Sequence, residues 1–112
     1  MKIKIGINGM GRIGRMIVRS IVENNYSNIE IKHINNRTNV ETCSNLLKYD
    51  SIHGKFNAEV QINQNNLIVK DNRITFSQET DINKINWKKF GVDYVFECTG
   101  KFNSIRMKMM CS

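Results

Sequence analysis

Residues 2–15, with the sequence KIKIGINGMGRIGR, constrain the fold more than any other stretch of the chain. Alternating apolar residues at positions 3, 5 and 7 predict a β-strand. Four of the seven glycines in the chain then fall within residues 6–14. A glycine inside a strand or helix costs roughly 0.5–1 kcal/mol relative to alanine. So dense a cluster therefore predicts a tight turn, or the close approach of a ligand to the backbone.

Three of these glycines, Gly9, Gly11 and Gly14, fit the pattern G-x-G-x-x-G at a strand-to-helix junction. In that pattern the first glycine allows the turn, the second lets a pyrophosphate approach, and the third lets the helix pack on the strand. The spacing of apolar residues predicts a helix from Arg12 to about Asn24. Free N–H groups at the start of such a helix bind phosphate. A turn with a purely structural role is the alternative.

The rest of the chain continues this alternation of strands and helices. The patterns predict a strand at 29–34, a helix at 39–50, short antiparallel strands within 58–76, a helical or turn segment at 82–90 and a buried parallel strand at 92–100. The predicted fold class is α/β, with a Rossmann-type, doubly wound, mainly parallel sheet and an antiparallel β-hairpin insertion. Because such domains have about six strands, the sheet is expected to be incomplete, with an exposed edge beyond the last predicted strand.

Composition excludes several classes of protein. The chain has 112 residues, which suits one domain, and 17 basic against 10 acidic residues give a net charge of +7. The lysines are scattered and not interleaved with aromatic residues, which argues against nucleic-acid binding. No apolar stretch approaches the roughly 18 residues of a membrane span, and the chain opens directly on a strand, so a cytoplasmic protein without a membrane partner is expected. Three cysteines without C-x-x-C spacing argue against a disulfide framework or a metal site.

Four segments, taken together, carry a more specific message. They are IGINGMGRIGR, LLKYDSIHGKF, LIVKDNRITF and INWKKFGVDYVFECTGKF, in this order over residues 1 to about 103. They resemble the N-terminal part of the phosphorylating glyceraldehyde-3-phosphate dehydrogenases. The resemblance implies a partial dinucleotide-binding domain at 1–103, with NAD or NADP as the cofactor. It also implies a parent homotetramer that oxidises glyceraldehyde 3-phosphate with inorganic phosphate in glycolysis or gluconeogenesis.

The resemblance also implies where the cofactor binds. The residues that match the family's cofactor site are Asn8, Gly9, Gly11, Arg12 and Ile13 at the pyrophosphate turn, Asn36 where most members have a ribose-binding Asp, Thr80 near the adenine, and Thr99 and Gly100 at a strand end beside the cofactor. Two bland alternatives stay open. In the first, Thr80 is only a turn residue; in the second, Thr99 and Gly100 only end a strand.

Asn36 and Arg37 bear on the choice between the two dinucleotides. A neutral Asn36 still hydrogen-bonds a ribose hydroxyl, but it lacks the charge by which an Asp repels a 2′-phosphate. Arg37 follows directly and is able to make a charge-assisted contact with that phosphate. We therefore expect tolerance of NADP. In the alternative interpretation, Arg37 points to solvent and Asn36 only ends the strand.

Catalysis in this family requires a cysteine thiolate activated by a histidine, in a segment SCTTN that these 112 residues do not contain. No catalytic residue and no catalytic domain are therefore assigned, and the chain alone is expected to be inactive. Other conspicuous residues receive structural interpretations: His53 in a surface loop, Cys98 as a buried inert thiol, Cys43 on a helix without an activating partner, and Lys48, Tyr49 and Asp50 at a loop or subunit contact.

Residues 104–112 form a divergent tail in which the last eight residues read IRMKMMCS. A frameshifted or prematurely ended reading frame explains this tail better than an ordinary alternative helix does. Two other functions remain as alternatives for the whole chain. One is a stand-alone nucleotide- or RNA-binding module. The other is a related dehydrogenase, such as a semialdehyde dehydrogenase, against which the LLKYDSIHGKF segment argues.

Overall fold

A computed structural model describes residues 3–24, 28–50, 54–55, 60–70, 72–81, 84–98 and 106–109 of the chain. Its helices and strands are β1 (Ile3–Asn8), α1 (Arg12–Glu23), β2 (Ile29–Asn35), α2 (Val40–Lys48), β3 (Tyr49–Asp50), β4 (Gly54–Lys55), β5 (Val60–Asn63), β6 (Asn66–Val69), β7 (Asn72–Ser77), a 3₁₀ turn (Trp87–Phe90), β8 (Tyr94–Glu97) and β9 (Arg106–Met109).

Seven of the strands form one sheet in the order β5-β6-β7-β2-β1-β8-β9. The central pairs, β7 with β2, β2 with β1 and β1 with β8, are parallel. The outer pairs are antiparallel, and β3 pairs with β4 separately. This confirms the predicted α/β class with an antiparallel insertion. It also brings the carboxyl ends of four parallel strands to one edge of the sheet, where ligands of doubly wound proteins bind.

The main hydrophobic core covers one face of the central strands. Ile5 and Ile7 of β1 are buried against this core together with Val18 and Val22 of α1. The side chains of a strand alternate between its faces, so both isoleucines point to the same side. Ile13, Ile17 and Ile21, whose spacing predicts the helix, are only half-buried against this core, whereas Val18 and Val22 are buried in it.

A second, smaller cluster covers the opposite face and consists of Trp87, Val92 and Val95. It lies over Gly6, where an added Cβ would come within 2.7 Å of the Trp87 ring. Gly6 thus leaves room for an indole and takes no part in the turn that follows β1. The segment at 82–90, predicted as a short helical or turn segment, is a 3₁₀ turn at Trp87–Phe90 that supplies this cover.

The predictions of an exposed sheet edge and of two element boundaries were wrong. The predicted edge beyond the last parallel strand is not open, because β9 pairs with β8 in antiparallel register. Residues 106–109 of the predicted divergent tail are therefore part of the sheet. The strand expected at 92–100 spans only Tyr94–Glu97, and the helix expected at 39–50 ends at Lys48. The predicted loop position of His53 lies outside the described residues.

Candidate functional site

The turn between β1 and α1 is held by three hydrogen bonds from neighbouring segments. The N–H of Gly9 donates to the carbonyl oxygen of Asn35 at 2.8 Å. The N–H of Met10 donates to Oδ1 of Asn36 at 3.0 Å, and Nη1 of Arg15 donates to the Met10 carbonyl at 3.1 Å. Gly9 has φ of 101°, a conformation that side chains disfavour. The turn is therefore fixed in position before any ligand arrives.

Gly11 and Gly14 differ in what surrounds them. A Cβ on Gly14 would overlap the carbonyl oxygen of Gly9, so Gly14 is required for α1 to pack against the turn. A Cβ on Gly11 would meet no atom of the described residues within 4 Å, and Gly11 has an ordinary φ of −72°. The fold itself does not require a glycine at position 11. Space kept free in this way suits a group that approaches the backbone from outside the chain.

The N-terminus of α1 has the character of an anion site. Gly11 is the N-cap, no side chain caps the helix, and the first turn holds no acidic residue. The first N–H groups of a helix lack partners within it, and the helix dipole adds partial positive charge at the same place. Arg12 is exposed at this end, whereas Ile13 is half-buried and packs against the main core.

An amide network crosses the carboxyl ends of the parallel strands. Nδ2 of Asn35 donates to Oδ1 of Asn8 and to the carbonyl oxygen of Glu79, both at 2.8 Å. Oδ1 of Asn35 accepts from the N–H of Glu79 at 2.8 Å and from the Ser77 hydroxyl at 2.6 Å. Nδ2 of Asn8 donates to Oε1 of Glu97 at 2.8 Å. The Nδ2 group of the buried Asn35 amide thus donates two hydrogen bonds and Oδ1 accepts two, which fixes the orientation of the amide.

Asn36 turns its amide toward the protein. Besides accepting from Met10, it donates to Oγ1 of Thr38 at 2.6 Å and to Sγ of Cys43 at 3.1 Å. Arg37 is exposed, and its carbonyl oxygen accepts from Nε2 of Gln78 at 3.2 Å. Two of the predicted residues therefore lie next to each other beside the turn, one engaged with it and one facing solvent.

The remaining predicted site residues are less fully placed. Thr80 is exposed and follows Glu79. The N–H and the carbonyl oxygen of Glu79 are both hydrogen-bonded to the Asn35 side chain. Thr99 and Gly100 lie outside the described residues, directly after Cys98, whose N–H donates to the Asn8 carbonyl at 2.8 Å. The structure thus brings together Asn8, Gly9, Gly11, Arg12, Asn36 and Arg37 around one turn.

His33 lies under this edge, fully buried in β2. Its ring stacks on Phe90 with centroids 3.9 Å apart and meets Trp87 edge-on at 5.3 Å. Nδ1 lies 2.6 Å from Oγ1 of Thr75, and Nε2 lies 2.8 Å from Oγ of Ser77. Burial lowers the pKa of His33 to about 4, so the ring is neutral at physiological pH.

The described cysteines are poor nucleophiles. Cys43 is fully buried in α2 behind Asn36. Cys98 is also buried, and desolvation, together with the negative charge of Glu97, raises its pKa to about 11. A thiol with so high a pKa forms little thiolate at neutral pH. The prediction that Cys98 is buried is confirmed, and its raised pKa supports the interpretation of an inert thiol.

Sequence reasoning missed the residues that organise this edge: Asn35, Ser77, Glu79, Glu97 and His33. Asn35 and Glu97 each follow an apolar run at a predicted strand end, which was the available signal. Their convergence depends on the strand order, and that order is not visible in a single sequence.

Within the part of the chain that the structure covers, no group of His, Cys, Asp and Glu side chains is arranged to hold a metal ion. No helix among the same residues is long and apolar enough to cross a membrane.

Comparisons with known proteins show the family of the chain. The family model described as glyceraldehyde 3-phosphate dehydrogenase, NAD binding domain, matches residues 3–105. Glyceraldehyde-3-phosphate dehydrogenase of Geobacillus stearothermophilus is 45% identical over 102 residues, which are 91% of this chain and 30% of that protein. The enzyme of Thermotoga maritima is 45% identical over 101 residues, 90% of this chain and 30% of its own length. The chain thus spans about 30% of the length of the curated relatives it matches.

Proposed function

The chain belongs to the family of glyceraldehyde 3-phosphate dehydrogenase NAD-binding domains, and from that premise we propose that its β1–α1 turn binds the pyrophosphate of NAD. The observation that carries the proposal is the open space at Gly11, next to an uncapped helix N-terminus. A phosphate at this place would accept hydrogen bonds from the first N–H groups of α1 and would gain from the helix dipole. Arg12, exposed in the same turn, adds a positive charge.

Substitutions at two glycines of the turn test this proposal. Gly11→Val should abolish NAD binding measured by calorimetric titration, because its side chain fills the space left for phosphate. Since that side chain meets no described protein atom, the free energy of unfolding should change by no more than about 1 kcal/mol. Gly14→Ala is the matched control, and it should lower stability instead, because its Cβ overlaps Gly9. Unchanged NAD affinity in Gly11→Val would mean that the turn is only structural.

We further propose that this site accepts NADP. The support is the absence of a carboxylate at position 36 and the exposed guanidinium of Arg37 one residue later. The Asn36 amide is engaged with Met10, Thr38 and Cys43 and carries no charge to repel a 2′-phosphate. A well-placed guanidinium–phosphate contact contributes roughly 1.5–3 kcal/mol, or about ten- to a hundredfold in affinity.

The matching measurement compares both dinucleotides on the same variants. Arg37→Ala should weaken NADP binding and leave NAD binding unchanged, while Asn36→Asp should weaken NADP selectively by charge repulsion. A second test transfers residues 33–38, HINNRT, into a complete NAD-specific relative. Equal effects of Arg37→Ala on the two cofactors, or no gain for NADP in the transfer, would contradict the proposal.

At the level of the whole protein, we propose that the chain is the cofactor-binding part of a glyceraldehyde-3-phosphate dehydrogenase assembled as a homotetramer in the cytoplasm. The support is the family match, together with relatives that are glyceraldehyde-3-phosphate dehydrogenases. We assign no covalent step to Cys43 or Cys98, because both are buried and the pKa of Cys98 is raised to about 11. The role of the β1–α1 turn in an oxidation would be to hold the cofactor, which supplies the hydride acceptor.

A further inference from the structure

A chain of hydrogen bonds connects the buried His33 to the amide network at the edge of the sheet. Nε2 of His33 contacts the Ser77 hydroxyl, which contacts Oδ1 of Asn35. Asn35 in turn holds Asn8 and both backbone groups of Glu79. We call His33, Ser77 and Asn35 the relay.

On the other side of the ring, Nδ1 contacts the hydroxyl of Thr75, which lies 3.0 Å from the Lys32 carbonyl oxygen. The Thr75 hydroxyl contacts His33 and Lys32 and not Asn35, so Thr75 lies outside the relay. The two hydroxyls are on the same strand, β7, and flank the same ring. They differ because only the Ser77 hydroxyl contacts Asn35, at the edge of the sheet where the carboxyl ends of the parallel strands lie.

Counting hydrogens shows which form of the ring suits these contacts. The contacts of Thr75 with Lys32 and of Ser77 with Asn35, together with the two contacts of the ring, require four hydrogens. Two hydroxyls and a neutral imidazole supply three. The tautomer protonated at Nε2 satisfies the three shortest contacts, at 2.6, 2.8 and 2.6 Å, and leaves the Thr75–Lys32 contact at 3.0 Å without a hydrogen. The tautomer protonated at Nδ1 would make Nε2 and Asn35 compete for the single Ser77 hydrogen.

We propose that His33 is a positioning residue for the dinucleotide site: its Nε2–H donates to Ser77, which frees the Ser77 hydrogen for Asn35 and so fixes Asn8 and the backbone of Glu79. This inference rests on the proposed NAD-binding function and names residues that determine how well the site is organised. Asn8 precedes the phosphate-binding turn, and Glu79 precedes Thr80 on the segment assigned to the adenine. The relay thus fixes the positions of two segments of the proposed site, at Asn8 and at Glu79, through the single buried amide of Asn35.

The first test compares two matched variants of β7 in the full chain. Ser77→Ala removes the hydroxyl inside the relay and should weaken NAD binding by about three- to tenfold. Thr75→Val removes the other hydroxyl on the ring and should leave NAD affinity unchanged, although both variants lower stability. Ser77→Thr keeps the hydroxyl and should retain affinity. Titrations are run at a temperature well below the unfolding midpoint of every variant, so that loss of stability does not imitate loss of affinity.

The second test needs no ligand. Hydrogen exchange at the Glu79 amide should accelerate in Ser77→Ala and in His33→Phe but not in Thr75→Val, because this N–H donates to Asn35. Heteronuclear NMR of the imidazole nitrogens should show the proton on Nε2. If His33→Phe fails to fold, the pair of β7 variants decides the question.

The outcomes separate the relay from the function on which it rests. Wild-type chain that does not bind NAD at all overturns the proposed function, and Glu79 exchange alone then decides the relay. Equal effects of Ser77→Ala and Thr75→Val on Glu79 exchange, or a proton found on Nδ1, overturn the relay. If NAD binds and exchange responds as expected but the two variants have equal affinities, His33 does not position the dinucleotide site.

Discussion

Gly6 shows how residues of one type serve different purposes within a short stretch. The atoms of the Trp87 ring lie 2.7 and 2.8 Å from the place of an added Cβ, and Val92 Cγ1 lies 3.2 Å from it. Gly6 also faces His33 and Val95 in the neighbouring strands. The glycine cluster that indicates a phosphate turn therefore contains one member that serves the opposite face of the sheet.

Gly6→Ala should consequently lower the free energy of unfolding by about 1–3 kcal/mol, the usual cost of overpacking a core. Because Trp87 is the cause, the change should cost less in a Trp87→Leu background than in the wild type. Urea unfolding of the two single variants and the double variant measures this coupling. Strict additivity of the two effects would show that the ring is not what excludes the methyl group.

His33 predicts a specific dependence of stability on acid. Its pKa is about 4 in the folded chain because of burial, against 6.5 in the unfolded chain. Between these values the unfolded chain binds a proton and the folded chain does not, so stability falls as the pH falls from 6.5 to 4. A difference of this size corresponds to roughly 3 kcal/mol.

The acid dependence is isolated by difference, since carboxylates titrate in the same range. Urea midpoints of wild type and His33→Phe are compared at neutral pH, at a pH between the two His33 values and below both. The gap between the two proteins should change across this range and then level off. Parallel pH profiles would contradict the assignment of the acid dependence to His33.

At the scale of elements, what the sequence predicts well is what depends on neighbours along the chain. The alternation at Ile5 and Ile7 and the spacing in residues 12–23 predicted β1 and α1, because each pattern depends only on residues close together in the sequence. β9 and the contacts of Asn35 were not predictable in this way. They depend on which strands become neighbours, and Asn8 and Glu97 meet across 89 positions of sequence.

The β5–β6 hairpin offers a local test of turn chemistry. Its two loop residues, Gln64 and Asn65, have φ of 50° and 66°, as in the turn type that favours glycine at its second position. Asn65→Gly should raise the free energy of unfolding by about 0.5–1 kcal/mol. The same substitution one residue later, Asn66→Gly, falls inside β6 and should lower it by a similar amount. Changes of the same sign in thermal unfolding would contradict the loop conformation.

For the molecule as a whole, the arrangement of the sheet decides where a ligand is able to bind. Four parallel strands end at one edge, and their last residues, Asn8, Asn35, Ser77 and Glu97, are joined by hydrogen bonds. The antiparallel strands on either side extend the sheet without contributing to this edge. Its position follows from the β7-β2-β1-β8 order, which brings separate parts of the chain together.

That order also has a consequence for how the chain acquires its ligand during synthesis. β8 is the last of the four strands to be made, and its Glu97 lies 89 positions after Asn8, the β1 residue with which it bonds. A nascent chain that has exposed only β1, α1 and β2 has the glycine turn and Asn35, but it lacks Glu97, the partner of Asn8 on the other neighbouring strand. Closing so long a loop comes late in folding because its entropy cost precedes the contacts that repay it. Firm binding of a dinucleotide would therefore await the docking of β8, and its binding to ribosome-bound intermediates would mark the moment at which the four parallel strands have come together.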